Sequence, residues 1–335
     1  MSVVAVKRGG AFGDLIMILN LIPQLKEKYD SVHFISPLAE DHMKIFIEDY
    51  LGVDKVASDL ILPEQEYDQI FNPGGYNYDG APIDPFPNHL LYYWGKEMGI
   101  DYPDFNALRS KAPPLPKKIK NQNSPSYITI QAKTEWSVFK NWWGWQDLVN
   151  KIKKEIPYLE IYQIGGPADP LLENIDGNFI GDSFFENLSA QAWSSVHLGL
   201  DSVCIHTSNI IWGNKGKTKS IIIFGSTQDS AYGYVHNKNI CLHLPCQPCA
   251  RLDPGRLHGD TGPQTPCINL VKKSDNVFTH ACMDGVSVDL VYGNLLRVLK
   301  DKRLISLSPE IRFTLMLREH VERQAGSPKP EFVYE

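Results

Sequence analysis

Hydrophobic positions along the chain alternate between the spacing of strands and that of helices. Residues 3–6 form a short β-branched run ending in Gly9-Gly10, and from 14 to 29 the apolar residues Leu15, Ile18, Leu19, Ile22 and Leu25 recur at helical spacing. This predicts strand, tight turn, helix. The series continues with a strand at 32–35, a helix at 40–50 and, behind the polar turn at 64–68, a strand at 69–71. Near residue 111 the stretch KAPPLPKKIKNQNSP brings in four prolines, too many for the interior of a helix or sheet, and it reads as a linker. The pattern then restarts. Strands are expected at 127–131, 159–164, 198–200 and 220–224, and helices at 145–156, 188–196 and 206–212. Beyond Gly225 the chain is rich in loops, before helical stretches at 287–299 and 309–324.

Strands alternating with helices predict parallel α/β structure. Two such series predict two doubly wound, Rossmann-like domains, at 1–112 and 127–305, joined by a linker at 113–126 and followed by a terminal segment at 306–335. At 335 residues the chain exceeds what one hydrophobic core normally fills. Facing halves leave a central cleft, and open parallel sheets bind ligands beyond the carboxyl ends of their strands.

Composition narrows the function classes. With 43% hydrophobic and 21% charged residues the chain is globular, and a net charge of −6 without a Lys/Arg cluster disfavours nucleic acid as a partner. The longest apolar stretch, 15–22, is broken by Asn20 and is too short to span a bilayer, so at most peripheral membrane contact is expected. The N-terminus runs directly into a glycine-rich turn with no secretory signal, which predicts a cytoplasmic protein. In a reducing compartment six cysteines read as thiols or metal ligands.

Four motifs carry candidate chemistry. Arg8-Gly9-Gly10-Ala11-Phe12-Gly13-Asp14 places glycines between a strand and a helix, where the backbone can approach a ligand; the simpler reading is a tight turn with Asp14 as a helix cap. QAKTEWSVFKNWWGWQDL holds Lys140 among four tryptophans, with Lys133 as a second candidate; with phosphate and not the protein core as its expected partner, Lys140 should be replaceable at little cost in stability, and the simpler reading is a solvated loop lysine beside packing tryptophans. Asp201-Ser202-Val203-Cys204-Ile205-His206 opens a helix whose N–H groups could receive phosphate, although Asp201 or Ser202 could equally cap it. Phe224-Gly225-Ser226-Thr227 follows an apolar strand. Separately, Cys246, Cys249, Cys267 and Cys282 could bind zinc or a single iron tetrahedrally, as a structural cross-link in a segment poor in apolar residues; reduced thiols without metal are the alternative. His258 and His280 could substitute as ligands, but they read first as surface histidines. Tyr76, Tyr78, His89, Tyr92, Tyr93 and Trp94 form an aromatic stretch suited to stacking on sugar rings or to core packing.

In their order and spacing these motifs resemble the heptosyltransferase family, the ADP-heptose enzymes of glycosyltransferase family nine. The cysteine set, ending in Cys282-Met283, is similar to the iron-binding finger of its autotransporter-glycosylating members. The resemblance implies a GT-B architecture with a cysteine-rich metal-binding insertion and a last helix returning to the first domain. It implies inverting transfer of a sugar, heptose from ADP-heptose, to a hydroxyl of lipopolysaccharide core or protein, without a catalytic metal. Asp14 then corresponds to the general base. Gly13, Lys140, Asp201, Ser202, His206 and Thr227 correspond to donor-binding residues, with Val203 where the family has glycine. The alternatives are a GT-B transferase or epimerase using another nucleotide sugar, and a non-catalytic nucleotide-sugar-binding protein.

Overall fold

The computed structural model describes residues 1–9, 12–37, 41–57, 67–73, 89–105, 108, 110–111, 113–120, 127–134, 138–212, 220–249, 267–274 and 277–301. The first half comprises β1 (Val3–Lys7), α1 (Phe12–Ile18), α2 (Ile22–Lys26), β2 (Ser31–Ile35), α3 (Asp41–Ile45), β3 (Lys55–Ala57), β4 (Gln69–Phe71) and α4 (Leu90–Glu97). Its strands form a parallel sheet in the order β3-β2-β1-β4. The second half comprises β5 (Tyr127–Gln131), α5 (Trp145–Glu155), β6 (Glu160–Gly165), β7 (Gly177–Ile180), α6 (Phe184–Trp193), β8 (Val196–Leu200), α7 (Val203–Trp212), β9 (Ser220–Ile223), α8 (Asp229–Tyr232) and β10 (Lys238–Ile240). These strands form a second parallel sheet, β10-β9-β8-β5-β6-β7, which is the doubly wound order. An antiparallel pair, β11 (Leu270–Ser274) and β12 (Val277–His280), leads into α9 (Ala281–Asp284) and α10 (Val288–Asp301). Among the described residues no helix is long and apolar enough to cross a membrane.

Local sequence explains most of these elements. Helix α5 buries Trp145, Leu148, Val149 and Ile152, one stripe at helical spacing, with Asp147 in its first turn and Lys153 and Lys154 in its last, where they complement the helix dipole. Helix α6 starts four residues before the expected 188. Ser183 Oγ caps the helix by accepting from the Glu186 N–H at 3.3 Å, a signal the apolar pattern does not reveal, and Val196 belongs to the next strand. The helix expected over 14–29 divides at a 3₁₀ turn, Leu19–Leu21, and resumes with Pro23 in the first turn of α2, where its missing N–H costs nothing. Strands β3, β7 and β10, each three or four residues long, carry too few residues for a period-two pattern to register.

The expected separate cores are instead partly merged. In β9, Ile221 and Ile223 face α5 and α10, whereas Ile222, with Phe224 just beyond the strand, points to the other face and joins a cluster that includes Val4, Val6, Ile16 and Leu19 of the first half. Helices α1 and α7 make the contact. At its centre two buried asparagines meet. Asn209 Nδ2 donates to Asn20 Oδ1 at 2.9 Å and to Phe105 O at 2.7 Å, while Asn20 Nδ2 turns back to Met17 O at 3.0 Å. Residues 113–120 of the expected linker lie along the second sheet, with Ile119 buried against Tyr127 and Tyr162 and Pro113 O accepting from Trp193 Nε1 at 2.8 Å. The expected terminal helix lies outside the described residues.

Asn209→Ala would strip two buried acceptors of their donor, at about 1–3 kcal/mol each. The expected outcome is a loss of about 2–4 kcal/mol in urea unfolding. An unchanged midpoint would mean that solvent reaches the junction of the halves.

Candidate active site

In each sheet the strand order reverses once, between β1 and β4 and between β5 and β8. At such a point the chain leaves neighbouring strands toward opposite faces and opens a crevice beyond their carboxyl ends. Arg8, one residue past β1, bridges the first crevice. Its Nη1 donates to Pro73 O past β4 at 3.0 Å, its Nη2 lies 3.4 Å from Asp14 Oδ2, and its guanidinium lies over the Trp94 ring, 4.5 Å from the centroid. A planar guanidinium can pair, donate and stack at once, which a lysine could not do here. Asp14 is the third residue of α1, inside the first turn and not at the cap, and its side chain keeps 14% exposure at the crevice.

The second crevice carries the other candidates. Past β8, Ser202 Oγ donates to Gln131 Oε1, at the end of β5, at 2.6 Å. Asp201 is buried, with Lys140 Nζ 2.8 Å from its Oδ2 and Thr227 Oγ1 donating to the same oxygen. Burial alone would raise the Asp201 carboxyl; the charge and hydrogen bond of Lys140, with Thr227, hold it below the usual carboxylate range. Gly225 makes this approach possible. A Cβ there would lie 2.3 Å from Phe139 O and 3.1 Å from the Lys140 Cα, so any side chain would push the Lys140 turn away. Lys140 is therefore not the solvated loop lysine of the simpler reading. Lys133 points elsewhere, donating to Ala168 O at 3.0 Å.

Gly13 and His206 join the crevices. A Cβ on Gly13 would lie 3.4 Å from His206 Cδ2 and 3.6 Å from the Val203 N–H, which brings the α1 start against the α7 start. His206 Nδ1 pairs with the Tyr234 hydroxyl at 2.9 Å, and Tyr234 packs on His89 with ring centroids 5.0 Å apart. Burial pushes His206 down to about 4 and His89 down to about 3. Of the aromatic stretch, His89 and Trp94 are buried at this junction, and Tyr76 and Tyr78 lie outside the described residues. Of the tryptophans near Lys140, Trp142 and Trp145 are core, packed edge to face, with Trp142 Nε1 donating to Val286 O at 2.9 Å, whereas Trp143 is exposed.

The four predicted metal-ligating cysteines lie in the same region, near enough for Cys246, Cys249 and Cys267 to influence the charge of Cys282. Burial first, and then the charges of Cys249, Cys267 and Cys246, push the Cys282 thiol up to about 12. Asn269 touches two of the set, its Nδ2 donating to Cys246 Sγ at 3.1 Å and its N–H to Cys267 Sγ at 3.4 Å. Among the described residues these four cysteines do not form a group of three or more metal-ligating side chains whose donor atoms lie within 4.8 Å of one another, so the expected tetrahedral arrangement is not formed. His280, expected on the surface, is partly buried against Phe139. His258 lies outside the described residues.

Sequence reading passed over Gln131, Tyr234 and Asn269. A glutamine at the end of an otherwise apolar strand was a usable signal for the first; the other two depend on contacts between distant segments.

His89, His197 and His206 are all held neutral by burial, with His197 also near 3, so the unfolded chain takes up protons below about pH 6.5 that the folded chain refuses. Stability is therefore full above that pH and falls as pH drops from 6.5 toward 4, by on the order of 1 kcal/mol per histidine at pH 5.5. Urea midpoints measured from pH 8 to 5 should show the decline. A flat profile would mean that these imidazoles remain open to water.

No family model matches the chain, and no curated protein sequence matches it significantly. Solved structures do. The iron-containing dodecameric glycosyltransferase TibC from enterotoxigenic E. coli aligns over 90% of this chain and 77% of its own, with 15% identity and a TM-score of 0.65. A glycosyl transferase of family 9 from Veillonella parvula aligns over 90% and 98% with 9% identity and a TM-score of 0.59. ADP-heptose lipopolysaccharide heptosyltransferase II of E. coli aligns over 90% and 100% with 11% identity and a TM-score of 0.54. Likeness at such identities speaks to architecture: the chain has the α/β GT-B fold of the heptosyltransferases of glycosyltransferase family 9.

Proposed function

We propose that the protein is an inverting glycosyltransferase that moves heptose from ADP-heptose to a hydroxyl of a glycan or protein acceptor. The observation that carries this reading is the meeting of two dissimilar crevices. One presents a carboxylate, Asp14, paired with Arg8; the other presents a cation, Lys140, paired with Asp201 just before α7; and Gly13, beside Asp14, lies against His206 of α7. One heptosyltransferase neighbour, TibC, is described in complex with ADP-D-beta-D-heptose, which supports the donor class.

In this mechanism the acceptor oxygen attacks the anomeric carbon as Asp14 takes its proton. The bond from that carbon to the diphosphate breaks with its electron pair, and a single displacement inverts the centre. Charge developing on the leaving diphosphate is met by Lys140 and by the N–H groups at the start of α7, which need no reorganisation as the reaction proceeds. Ser202, His206 and Thr227 would act in the same donor site, the two hydroxyls turning from Gln131 and Asp201 toward phosphate. Asp201 holds Lys140 in place when no phosphate is bound. A Val203 side chain in place of glycine packs partly against the shared core and leaves its backbone N–H at the helix start. Cys246, Cys249, Cys267 and Cys282 would hold zinc or iron as a cross-link of the segment after β10, remote from the chemical step in sequence and role. TibC is described as iron-containing.

Asp14→Asn keeps the size and polarity of the side chain beside Arg8 but removes the base. Turnover with ADP-heptose should fall by on the order of 10²–10⁴-fold with donor affinity near that of the parent. Near-normal turnover in a folded variant would leave Asp14 as an α1 first-turn carboxylate only.

Lys140→Ala alone would strand the buried Asp201 charge and cost about 3–5 kcal/mol. The informative variant is Lys140→Ala with Asp201→Asn, which should recover most of that stability while donor binding in calorimetry stays at least 10-fold weaker than in the parent. Parental donor affinity in the double variant would remove Lys140 from phosphate binding.

A further inference from the structure

Beyond the crevices, two segments that the proposed reaction does not use converge. Helix α8 begins at Asp229, two residues after Thr227, and the chain leaves β10 through Cys241, Leu242 and His243. One carboxylate oxygen of Asp229, the Cys241 sulfur and an imidazole nitrogen of His243 all lie within 4.8 Å of one another. Asp229 Oδ1 and His243 Nε2 are 3.6 Å apart. That is too long for a hydrogen bond. It is close to the separation of roughly 3.3–3.4 Å between oxygen and nitrogen ligands that each stand about 2.0–2.1 Å from a tetrahedral zinc. Neighbouring hydrogen bonds fix the sulfur-bearing segment: Gln247 accepts from the Leu244 N–H at 2.8 Å, donates to Gly225 O at 2.6 Å, and approaches Cys241 Sγ at 3.8 Å. His243 itself has a φ of 51°, in the left-handed region, and its side chain is 63% exposed, so a cation can reach it from solvent.

We propose that Asp229, Cys241 and His243 form a second metal site, with ligands separate from the four cysteines, for a borderline-soft divalent cation such as zinc. Three protein ligands leave a fourth tetrahedral position for water. The mixed donor set selects the cation: a sulfur ligand disfavours magnesium and calcium, while imidazole and carboxylate suit zinc. On binding, the Cys241 thiol releases its proton to solvent as the sulfur–metal bond forms. The ion then ties the start of α8, and with it the loop that carries Thr227, to the end of β10.

The test is zinc uptake by the full chain, by equilibrium dialysis and elemental analysis, compared with His243→Gly and Asp229→Asn. Glycine tolerates the left-handed backbone at 243, so that variant removes a ligand without straining the fold. All three proteins retain the four cysteines, and any metal held there cancels. The parent should bind one equivalent more than either variant and gain more in melting temperature from zinc. With cobalt as probe, the parent should show a sulfur-to-metal charge-transfer band that weakens equally in His243→Gly and Cys241→Ser. Equal metal content and equal cobalt absorption in the parent and His243→Gly would overturn the proposal.

Discussion

Helices α1 and α7 approach closely enough that a Cβ on Gly13 would lie in van der Waals contact with His206 and with the backbone of Val203. Much else follows from that approach. It lets apolar residues from both sheets share one cluster, so the halves cohere without relying on the chain between them. It also traps polar groups in the contact: Asn209 Nδ2 donates across it to Asn20 Oδ1, while Asn209 Oδ1 is buried without a partner among the described residues. Because the two helices begin at the carboxyl ends of β1 and β8, the contact that joins the halves also brings their crevices together.

The electrostatics of the junction are correspondingly demanding. An aspartate as buried as Asp201 is tolerable only with compensating charge, and Lys140 supplies it through a turn that can lie near Gly225 only because that residue has no side chain. Arg8 has the same role in the other crevice, where pairing with Asp14, donation to Pro73 and stacking on Trp94 are mutually supporting. Each crevice therefore contains an ion pair with one member at the surface of the site. Such a pair is held in position before any ligand arrives, which is what stabilisation of developing charge requires. The buried histidines around Tyr234 contribute shape and hydrogen bonds as neutral groups.

The segment after β10 is organised differently. It leaves β11 largely exposed among its described residues. Its order comes from sulfur and amide contacts, with Asn269 touching Cys246 and Cys267, and Gln247 fastening the chain to the loop at Gly225.

The sequence by itself determined the strand–helix alternation, since burial on one or both faces imposes a period that residues such as Leu148, Val149 and Ile152 display openly. It also singled out the glycines and charged residues of the candidate site, because a lysine amid tryptophans and an aspartate closing an apolar strand are conspicuous on their own. It did not reveal the short strands at 177–180 and 238–240, whose pairing partners, and not their composition, make them strands. Nor did it show that Lys140 is paired with Asp201, that His206 leans on Gly13, or that Gln131 holds Ser202. Those are contacts between residues 61, 193 and 71 positions apart, and local preference carries no information about them. Only the tertiary structure, by docking one parallel sheet's helices on the other's, decided which of the candidate groups share a site.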